Sequence, residues 1–514
     1  SYKDNKKKNL KHSRTMEIFM TVLTILAIGL ALYYFRLRDT SYFKEKGLLH
    51  DSPLPIFGNM APYFFRRKPV YLILADLYNK YSQTKYFGFY DFMSPVIVLR
   101  DPEIINSIGI KNFDNFCDHT SFVAENEPLM AKNLFQLRGD TWREMRKILS
   151  PTFTSKCAEN FVNHIAIRSE KGWTTEMKDI FTNYTNDVVA TTAFGIGIDS
   201  IKDPNNDFIT LTKTVLNFDS IVSTKLLLGR NFPWLFKTLN IKLFGEKTRI
   251  FFRNVIIDSI KTREEKGIIR PDMIQMMMES REKMHISYDD MTAQAFVFFL
   301  AGSDSTATFM CFLAHEIAVN NEVQIKLREE IDQSLKITNG QPTYDVIMNL
   351  KYLDAVINET LRLYPLTSFV DRYCSKSLEL PPAIPGGKSF TLKPGTSVWF
   401  LPYSIHRDPK YFPNPEKFDP NRFIDGNIDP FVYFPFGIGP RICIGNRYAL
   451  MICKVVFFHL LLNTDFPQTL QNILQASQLR NFSVFHALSI RFCYVLVKRL
   501  YRDCGLSTIF ERRV

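Results

Sequence analysis

The chain has 514 residues, 46% of them hydrophobic and 23% charged, which is enough apolar material for a large buried core and excludes a disordered or fibrous protein. Its net charge is +12 without a clustered motif for nucleic acid, so the excess suits an acidic partner, an anionic membrane or simply a basic soluble surface. Eight cysteines without paired spacing argue against a disulfide framework and for a reducing compartment.

The N-terminal region combines a basic head with an apolar run. Residues 1–15 carry six basic side chains and one acidic side chain, and residues 18–35 carry no charge. Such a run just suffices to cross a bilayer, which needs about 20 residues. We therefore predict a basic extension (1–15), a transmembrane anchor (16–38) and a linker (39–60). A cleaved signal peptide is the alternative, although no small-residue cleavage site follows the run.

Beyond the linker, the periodicity predicts helices with a few short strands. Residues 70–81 have a helical pattern, and residues 95–99 are a strand-like run. Residues 208–260 alternate apolar and basic side chains and include the apolar cluster 232–236. Two amphipathic helices and a turn would explain this pattern, and so would an exposed loop at a membrane surface.

Two pairs of side chains are spaced to share a helix face. Trp142 and Arg146 are four residues apart, and such a pair is more often a surface cation–π contact than a binding site. Glu359 and Arg362 are one turn apart on a helix that Pro365 ends. Since exposed Glu/Arg pairs are common, neither pair alone indicates a function.

Residues 295–312 predict a long buried helix that polar side chains interrupt. Asp304, Ser305 and Thr306 have a cost in an apolar helix unless they bind each other, water or a freed carbonyl. A helix kink with local hydrogen bonds is one interpretation. A proton relay is the other, with small Ala301 leaving room for a ligand.

The most informative stretch is Phe436 to Gly445, which reads Phe-Gly-Ile-Gly-Pro-Arg-Ile-Cys-Ile-Gly. Its glycines permit the tight turn that would hold Cys443 close to a metal, and the helix that follows favours the thiolate. A bare Gly-x-Cys would indicate only a buried cysteine in a turn. The full pattern Phe-x-x-Gly-x-Arg-x-Cys-x-Gly resembles the heme-ligand loop of the cytochrome P-450 family, microsomal and insect-like.

This resemblance runs from about residue 52 to 462, and Pro53 and Pro55 in the linker resemble the family's proline hinge. It implies a mainly α fold with a minor antiparallel β-sheet region over residues 61–514, preceded by the transmembrane helix. Glu359 and Arg362 match the family's ExxR motif, which would join Arg422 to hold the scaffold of the cysteine loop. After about residue 463 the usual closing sheet is not recognisable, which indicates divergence or a frameshifted or misjoined coding sequence.

The resemblance also implies heme b as the cofactor, with Cys443 as the thiolate ligand of its iron. Further cofactor contacts carried over from the family are Trp142, Arg146, Ala301, Arg372, Phe436, Arg441 and Gly445. The residues expected to deliver protons at the oxygen-binding site are Asp304, Ser305 and Thr306, with Ser305 where a threonine is usual.

The implied reaction inserts one oxygen atom from dioxygen into an apolar small molecule, either a xenobiotic or an endogenous lipid. Electrons would come from NADPH through a flavoprotein reductase, with a small heme electron carrier as an optional second donor. The resemblance to microsomal members implies the endoplasmic reticulum membrane. If translation starts at Met16, Arg36 and Arg38 after the anchor place the catalytic domain on the cytosolic side, although the basic head competes for that side. No nucleic-acid partner is expected.

Two other functions are compatible with a heme-thiolate chain. One is an isomerase or dehydratase that rearranges peroxides without a reductase, and the retained Asp304 argues against it. The other is a heme- or ligand-binding protein without turnover. Reductase-dependent use of NADPH in the presence of substrate would separate them from a monooxygenase.

Overall fold

The structure is a computed structural model, and it describes the greater part of the chain. The described residues are 19–30, 41–92, 94–120, 127–150, 174–200, 203, 206, 208–210, 215, 225, 229, 232–270, 272–340, 343–465, 493–495 and 497–498. The basic extension 1–15, the two ends of the expected anchor and most of the chain after 465 lie outside this part.

Helices account for most of the described chain, as predicted. They are α1 (Phe19–Leu30), α2 (Tyr42–Glu45), α3 (Ala61–Phe64), α4 (Val70–Lys80), α5 (Pro102–Asn106), α6 (Pro128–Ala131), α7 (Gly139–Leu149), α8 (Met177–Val189), α9 (Pro233–Thr238), α10 (Glu246–Lys266), α11 (Met273–Met284), α12 (Tyr288–Val319), α13 (Asn321–Ile337), α14 (Tyr344–Met348), α15 (Lys351–Leu363), α16 (Pro402–Ile405) and α17 (Asn446–Asn463). The π-helical turns Ser107–Lys111 and Ala190–Phe194 extend α5 and α8, and 3-10 turns lie at Phe113–Asn115, Pro420–Phe423 and Gly439–Arg441.

The strands form one four-stranded sheet and three two-stranded pairs. They are β1 (Tyr86–Asp91), β2 (Ser94–Leu99), β3 (Thr174–Glu176), β4 (Val370–Tyr373), β5 (Leu378–Leu380), β6 (Phe390–Leu392), β7 (Ser397–Phe400), β8 (Thr464–Asp465), β9 (Cys493–Val495) and β10 (Val497–Lys498). The main sheet has the order β1-β2-β7-β4, and the smaller pairs are β3-β9, β5-β6 and β8-β10. Pairing is antiparallel, as expected, except between β2 and β7, which are parallel. The pairs β3-β9 and β8-β10 involve residues after 463, where the sequence motifs indicated no closing sheet.

The long helix α12 is the central element of the fold. It begins with a capping box, in which Ser287 and Asp290 bind each other's backbone N–H groups. Residues 291–299 of α12 belong to one hydrophobic cluster and residues 307–318 to another. The polar segment 303–306 lies where these two clusters meet, so its side chains are placed between cores rather than within one.

A third hydrophobic cluster covers the main sheet and the helices α4 and α5. It also contains Ile438, which places the segment before Cys443 against the sheet. The cysteine loop therefore starts at the sheet, and α17, which follows it, packs in the cluster around the C-terminal half of α12.

Two helices bear on the expected membrane contact. α12 is long and apolar enough to cross a bilayer, but more than half of its apolar window is buried, as in the core helix of a soluble domain. α1 is apolar and exposed, and its 12 described residues fall short of a full span.

The apolar cluster 232–236 is only partly exposed, which corrects the expectation of an exposed cluster at the surface. Trp234 is 61% exposed, but Phe236 is 3% exposed and packs in the cluster around the N-terminal half of α12. The short helix α9 turns these two side chains to different sides, so Trp234 alone of the two is available to a membrane.

Candidate functional site

The cysteine loop is a compact turn that presents Cys443 just before α17. Gly437 and Gly439 have φ angles of +84° and +72°, which favour glycine. The N–H of Cys443 donates to the carbonyl of Phe436 at 2.9 Å and closes the loop. A side chain added at Gly445 would meet no atom within 4 Å, so an open space adjoins this position.

The surroundings of the Cys443 thiol act on its pKa in opposite directions. Burial raises the pKa, whereas a hydrogen bond from the Gly445 N–H and the positive charge of Arg146 lower it. Cys443 nevertheless has substantial accessible surface. Protein atoms surround the thiol on most sides, yet the residue keeps accessible surface, so Cys443 lies at the wall of a concave space. A ligand of a buried metal needs this geometry.

Two arginines near the cysteine loop have donors that no described residue accepts. Within the described residues, the guanidinium of Arg146 has no hydrogen-bond or ion-pair partner, and its charge acts on Cys443. Arg372 is completely buried, and burial lowers its pKa to about 10. Its Nη atoms donate to the carbonyls of Asp371 and Ile438, whereas its Nε has no partner in the described part of the chain. The partly buried guanidinium of Arg146 can therefore accept a ligand, whereas the Nε of Arg372 is enclosed by protein and carries the free-energy cost of an unpaired buried donor.

Arg441 differs from these two arginines because the protein satisfies it. Its guanidinium donates to the carbonyls of Cys117 at 2.6 Å, Leu134 at 3.3 Å and Leu137 at 2.7 Å. It also lies 3.9 Å above the ring of Trp142, which forms a cation–π contact. The cation–π partner of Trp142 is thus Arg441 rather than Arg146, and both side chains brace the loop from the protein side.

The buried charge network predicted from the ExxR motif is present. Glu359 and Arg362 are both inaccessible to solvent and form two hydrogen bonds, at 2.7 and 2.8 Å. Arg422 lies 3.5 Å from the same carboxylate, and Arg362 also donates to the carbonyl of His406 at 2.8 Å. A buried ion pair is tolerated when its remaining donors find acceptors, and here the backbone supplies them.

The polar segment of α12 is arranged around Ala301 and Asp304. Ala301 is exposed, and Leu300, Gly302, Asp304 and Ser305 beside it are only partly buried, so α12 borders an open space at this turn. The Ser305 hydroxyl donates to the Ala301 carbonyl, which is the local bonding expected for a helix kink. Thr306 is buried. The carboxylate of Asp304 accepts a hydrogen bond from Lys178 at 2.9 Å.

Lys178 on α8 is a site residue that sequence reasoning missed. Besides the Asp304 carboxylate, its ammonium group contacts the Asp304 carbonyl at 3.3 Å and the Thr308 hydroxyl at 2.6 Å. Thr185, two turns further along α8, donates to the Ser303 carbonyl at 3.0 Å. Side chains of α8 therefore bind two backbone carbonyls of the polar segment of α12. This contact is visible only in the fold, because the two helices are far apart in the sequence.

His119 is a second residue that the motifs did not indicate. Its Nδ1 lies 2.9 Å from the carboxylate of Asp371, and its ring stacks on Phe135 at 4.3 Å. Asp371 directly precedes Arg372, so this pair ties the segment before residue 121 to the strand that carries Arg372. Burial lowers the pKa of His119, with the Asp371 hydrogen bond opposing that shift.

The donor set at this site fits the cofactor that the sequence indicated. An exposed cysteine, an open space at Gly445 and an arginine, Arg146, that no described residue pairs suit a flat group that offers a metal for sulfur and a carboxylate for arginine. Within the described residues, no cluster of three or more His, Cys, Asp or Glu side chains could hold a metal ion by itself. The residues present therefore fit heme, held by one thiolate.

Comparison with known proteins assigns the chain to a family. The cytochrome P-450 family profile matches residues 50–484. A Blattella germanica protein named cytochrome P-450 9e2 is 42% identical over 495 residues, which cover 86% of this chain and 91% of that protein. From Drosophila melanogaster, the probable cytochrome P-450 9f2 is 40% identical over 85% of this chain and 91% of its own length, and cytochrome P-450 9b2 is 33% identical over 91% and 97%. The chain therefore belongs to the cytochrome P-450 family of heme-dependent oxidoreductases.

Proposed function

We propose that the chain is a membrane-bound monooxygenase that inserts one oxygen atom from dioxygen into an apolar small molecule, with electrons delivered from NADPH by a flavoprotein reductase. The observation that carries the proposal is Cys443, which is an exposed residue although protein surrounds its thiol, and which receives a hydrogen bond from the Gly445 N–H. Heme b is the cofactor of this family and supplies the oxygen chemistry when bound.

We assign the residues around Cys443 to separate parts of the cofactor. Cys443 holds the iron, and Gly445 leaves space for the ring. Arg146, whose guanidinium no described residue pairs, binds one carboxylate of the cofactor, and the buried Arg372 is assigned to the other on the family resemblance. Phe436 closes the loop through its carbonyl, and its half-buried side chain shields the sulfur from water.

Arg441 and Trp142 take a supporting role in this proposal. Their contacts with each other and with three backbone carbonyls already use much of the binding capacity of the guanidinium. We assign them to holding the cysteine loop in place, and we leave a direct cofactor contact to Arg146 and Arg372.

Proton delivery is assigned to the polar segment of α12. Asp304 is the acid, and Lys178 holds its carboxylate at the edge of the space that Ala301 borders. Ser305 and Thr306 provide hydroxyl groups on the same turn, with Ser305 bonded to the Ala301 carbonyl. A positioned carboxyl group that donates and recovers a proton accelerates such steps by about 10²–10⁴.

Exposed positive charge near Cys443 supports an acidic redox partner. Lys147 is exposed next to Arg146, and Arg447 is exposed four residues after Cys443. Such side chains steer an acidic electron donor toward the thiolate side of the domain. We propose the flavoprotein reductase as this donor, and a small heme electron carrier would meet the same charges.

The proposed location is the endoplasmic reticulum membrane, with the catalytic domain in the cytosol. The exposed apolar helix α1 supports an anchor, and Trp234 on α9 supports a second, weaker contact with the lipid surface. Residues 36 and 38, whose positive charge sets the orientation, lie outside the described part.

The test uses the full chain loaded with heme. We expect the reduced protein to show the carbon-monoxide spectrum of thiolate-ligated iron, and apolar compounds to give binding difference spectra. With the reductase, a binding compound should raise NADPH consumption and yield a product that contains one added oxygen. Turnover of peroxides without reductase would instead identify an isomerase or dehydratase, and a thiolate spectrum without any turnover would identify a binding protein.

A further inference from the structure

Two backbone turns that are far apart in the sequence meet beside the cysteine loop. One is the π-helical turn Ser107–Lys111, which contains Gly109, and the other is the 3-10 turn Gly439–Arg441. A Cβ atom built on Gly439 would lie 2.0 Å from the carbonyl oxygen of Gly109. Atoms cannot approach that closely, so the two backbones touch only because Gly439 has no side chain.

Gly109 is also close to the cysteine loop, through the side chain of Ile438. A Cβ atom built on Gly109 would lie 2.8 Å from Cγ2 of Ile438, with the Cγ1 and Cδ1 atoms of that side chain at 3.6 and 3.7 Å. Ile438 is 5% exposed and packs against the sheet, so it has little room to retreat. A methyl group at Gly109 would therefore force Ile438 or the turn Ser107–Lys111 to shift.

Ile438 and Gly439 connect this contact with the site. The carbonyl of Ile438 accepts a hydrogen bond from Arg372 at 2.9 Å. The carbonyl of Gly439 accepts one from the N–H of Ile442 at 2.9 Å, which shapes the turn directly before Cys443. A displacement of Ile438 would therefore move both an acceptor of Arg372 and the turn that presents the sulfur.

We infer that Gly109 is a positioning residue for the thiolate loop, because its missing side chain sets how closely the turn Ser107–Lys111 supports Ile438 and Gly439. The inference rests on the assignment of Cys443 as the iron ligand. Gly109 lies outside the cysteine-loop motif and touches the loop only through packing. Its role is to fix the place of the sulfur, and it takes no part in the chemistry.

Matched variants separate this role from a general loss of stability. Gly109→Ala adds the methyl group that meets Ile438, and Ile438→Leu removes the Cγ2 atom that it meets. Gly88→Ala is the control, since its Cβ would lie 2.7 Å from the buried ring of Phe43, which belongs to the sheet cluster rather than the cysteine loop. Gly245→Ala is a second control, because its Cβ would meet no atom within 4 Å.

The measurement is the fraction of reduced, carbon-monoxide-bound protein that shows the thiolate spectrum, together with the thermal unfolding midpoint of each heme-loaded variant. We expect Gly109→Ala to lower the thiolate fraction by about twofold or more, well below its unfolding temperature, because overpacking displaces the loop. Gly109→Ala with Ile438→Leu should regain most of the wild-type fraction. Gly88→Ala should lower the unfolding midpoint and keep the thiolate fraction, and Gly245→Ala should change neither.

An unchanged thiolate fraction in Gly109→Ala, an equal loss in Gly88→Ala, or a double variant that regains nothing would each overturn the inference. If Gly109→Ala alone does not accumulate as folded protein, the thiolate fraction of the double variant is compared with that of the wild type instead. If the wild-type protein shows no thiolate spectrum, the assignment of Cys443 as ligand is wrong. If the wild type shows the spectrum and Gly109→Ala keeps it unchanged, only the inference about Gly109 is wrong.

Discussion

The cysteine loop and the polar segment of α12 approach the site from two sides, and they are held in different ways. Backbone acceptors fix the loop. Arg441 donates to three carbonyls, and Arg362, which is paired with Glu359, donates to the carbonyl of His406. Among the described residues, the carboxylate of Asp304 is bound by one long, flexible side chain, that of Lys178. The first region is suited to holding a metal ligand at a fixed distance, and the second to a group that must move a proton.

The largest expected effect tests the ligand itself. Cys443→Ala should abolish the carbon-monoxide spectrum of thiolate ligation, because no other described thiol is accessible at this site. Cys453→Ala, in the buried interior of α17, is the matched control and should keep the spectrum. Survival of the spectrum in Cys443→Ala would show that the ligand is assigned wrongly.

The next effect tests the fixed region through its charges. Glu359→Gln should destabilise the protein by about 3–5 kcal/mol, because it leaves the buried guanidinium of Arg362 without its counter-charge. Chemical unfolding, followed by loss of the heme spectrum, measures the change. Glu246→Gln removes an exposed carboxylate beside Arg249 and should change stability little. Equal effects for the two variants would contradict the view that the buried network holds the loop.

The third prediction tests the movable region. Asp304→Asn should keep heme and substrate binding but reduce product per NADPH and slow turnover by on the order of 10², because an amide cannot donate and recover a proton. Lys178→Met leaves the carboxyl group in place and removes its anchor, so its loss of coupling should be smaller. Unchanged coupling in Asp304→Asn would leave the helix kink as the role of this segment.

The smallest effect is a pH dependence of the fixed region. Burial, with the charges of Arg362 and Arg407, lowers the pKa of His406 to about 3. The unfolded chain binds this proton at an ordinary histidine pKa near 6.5, so the contribution of neutral His406 is complete above that value and is lost as the pH falls toward 3, by up to about 1.4 kcal/mol per pH unit. Its Nε2 accepts the N–H of Phe434 at 3.1 Å.

His406→Gln keeps a hydrogen-bond acceptor and removes the titrating group. The unfolding midpoint of this variant should therefore fall less than that of the wild type when the pH is lowered from 7 to 5. Parallel curves for the two proteins would show that another group governs the acid sensitivity.

The sequence predicted the parts of the site that depend on local spacing. Cys443 with its glycines, and Glu359 with Arg362, were assigned because they stand in short motifs that resemble those of a known family, and spacing alone would have indicated only a buried cysteine and a surface ion pair. The long helix around Asp304 was also predicted, because it is apolar over a stretch long enough to cross a membrane.

What could not be predicted depends on contacts between distant segments. Lys178 lies 126 residues before Asp304, and no local pattern distinguishes it from an exposed lysine. Arg441 was predicted as a cofactor contact from its motif position. Its backbone acceptors could not be predicted, because every residue has a carbonyl whatever its side chain. Phe236 was expected at the surface because an apolar run such as 232–236 has the same composition in a core and in an interface.

The three carbonyls that Arg441 binds have a consequence for biosynthesis. They precede it by 304–324 residues, so the ribosome completes most of the chain before the guanidinium that gathers them is made. Contacts of such long sequence separation form slowly and late. The contacts that surround the cysteine loop can therefore form only after the segment that carries Arg441 and Cys443 has been synthesised.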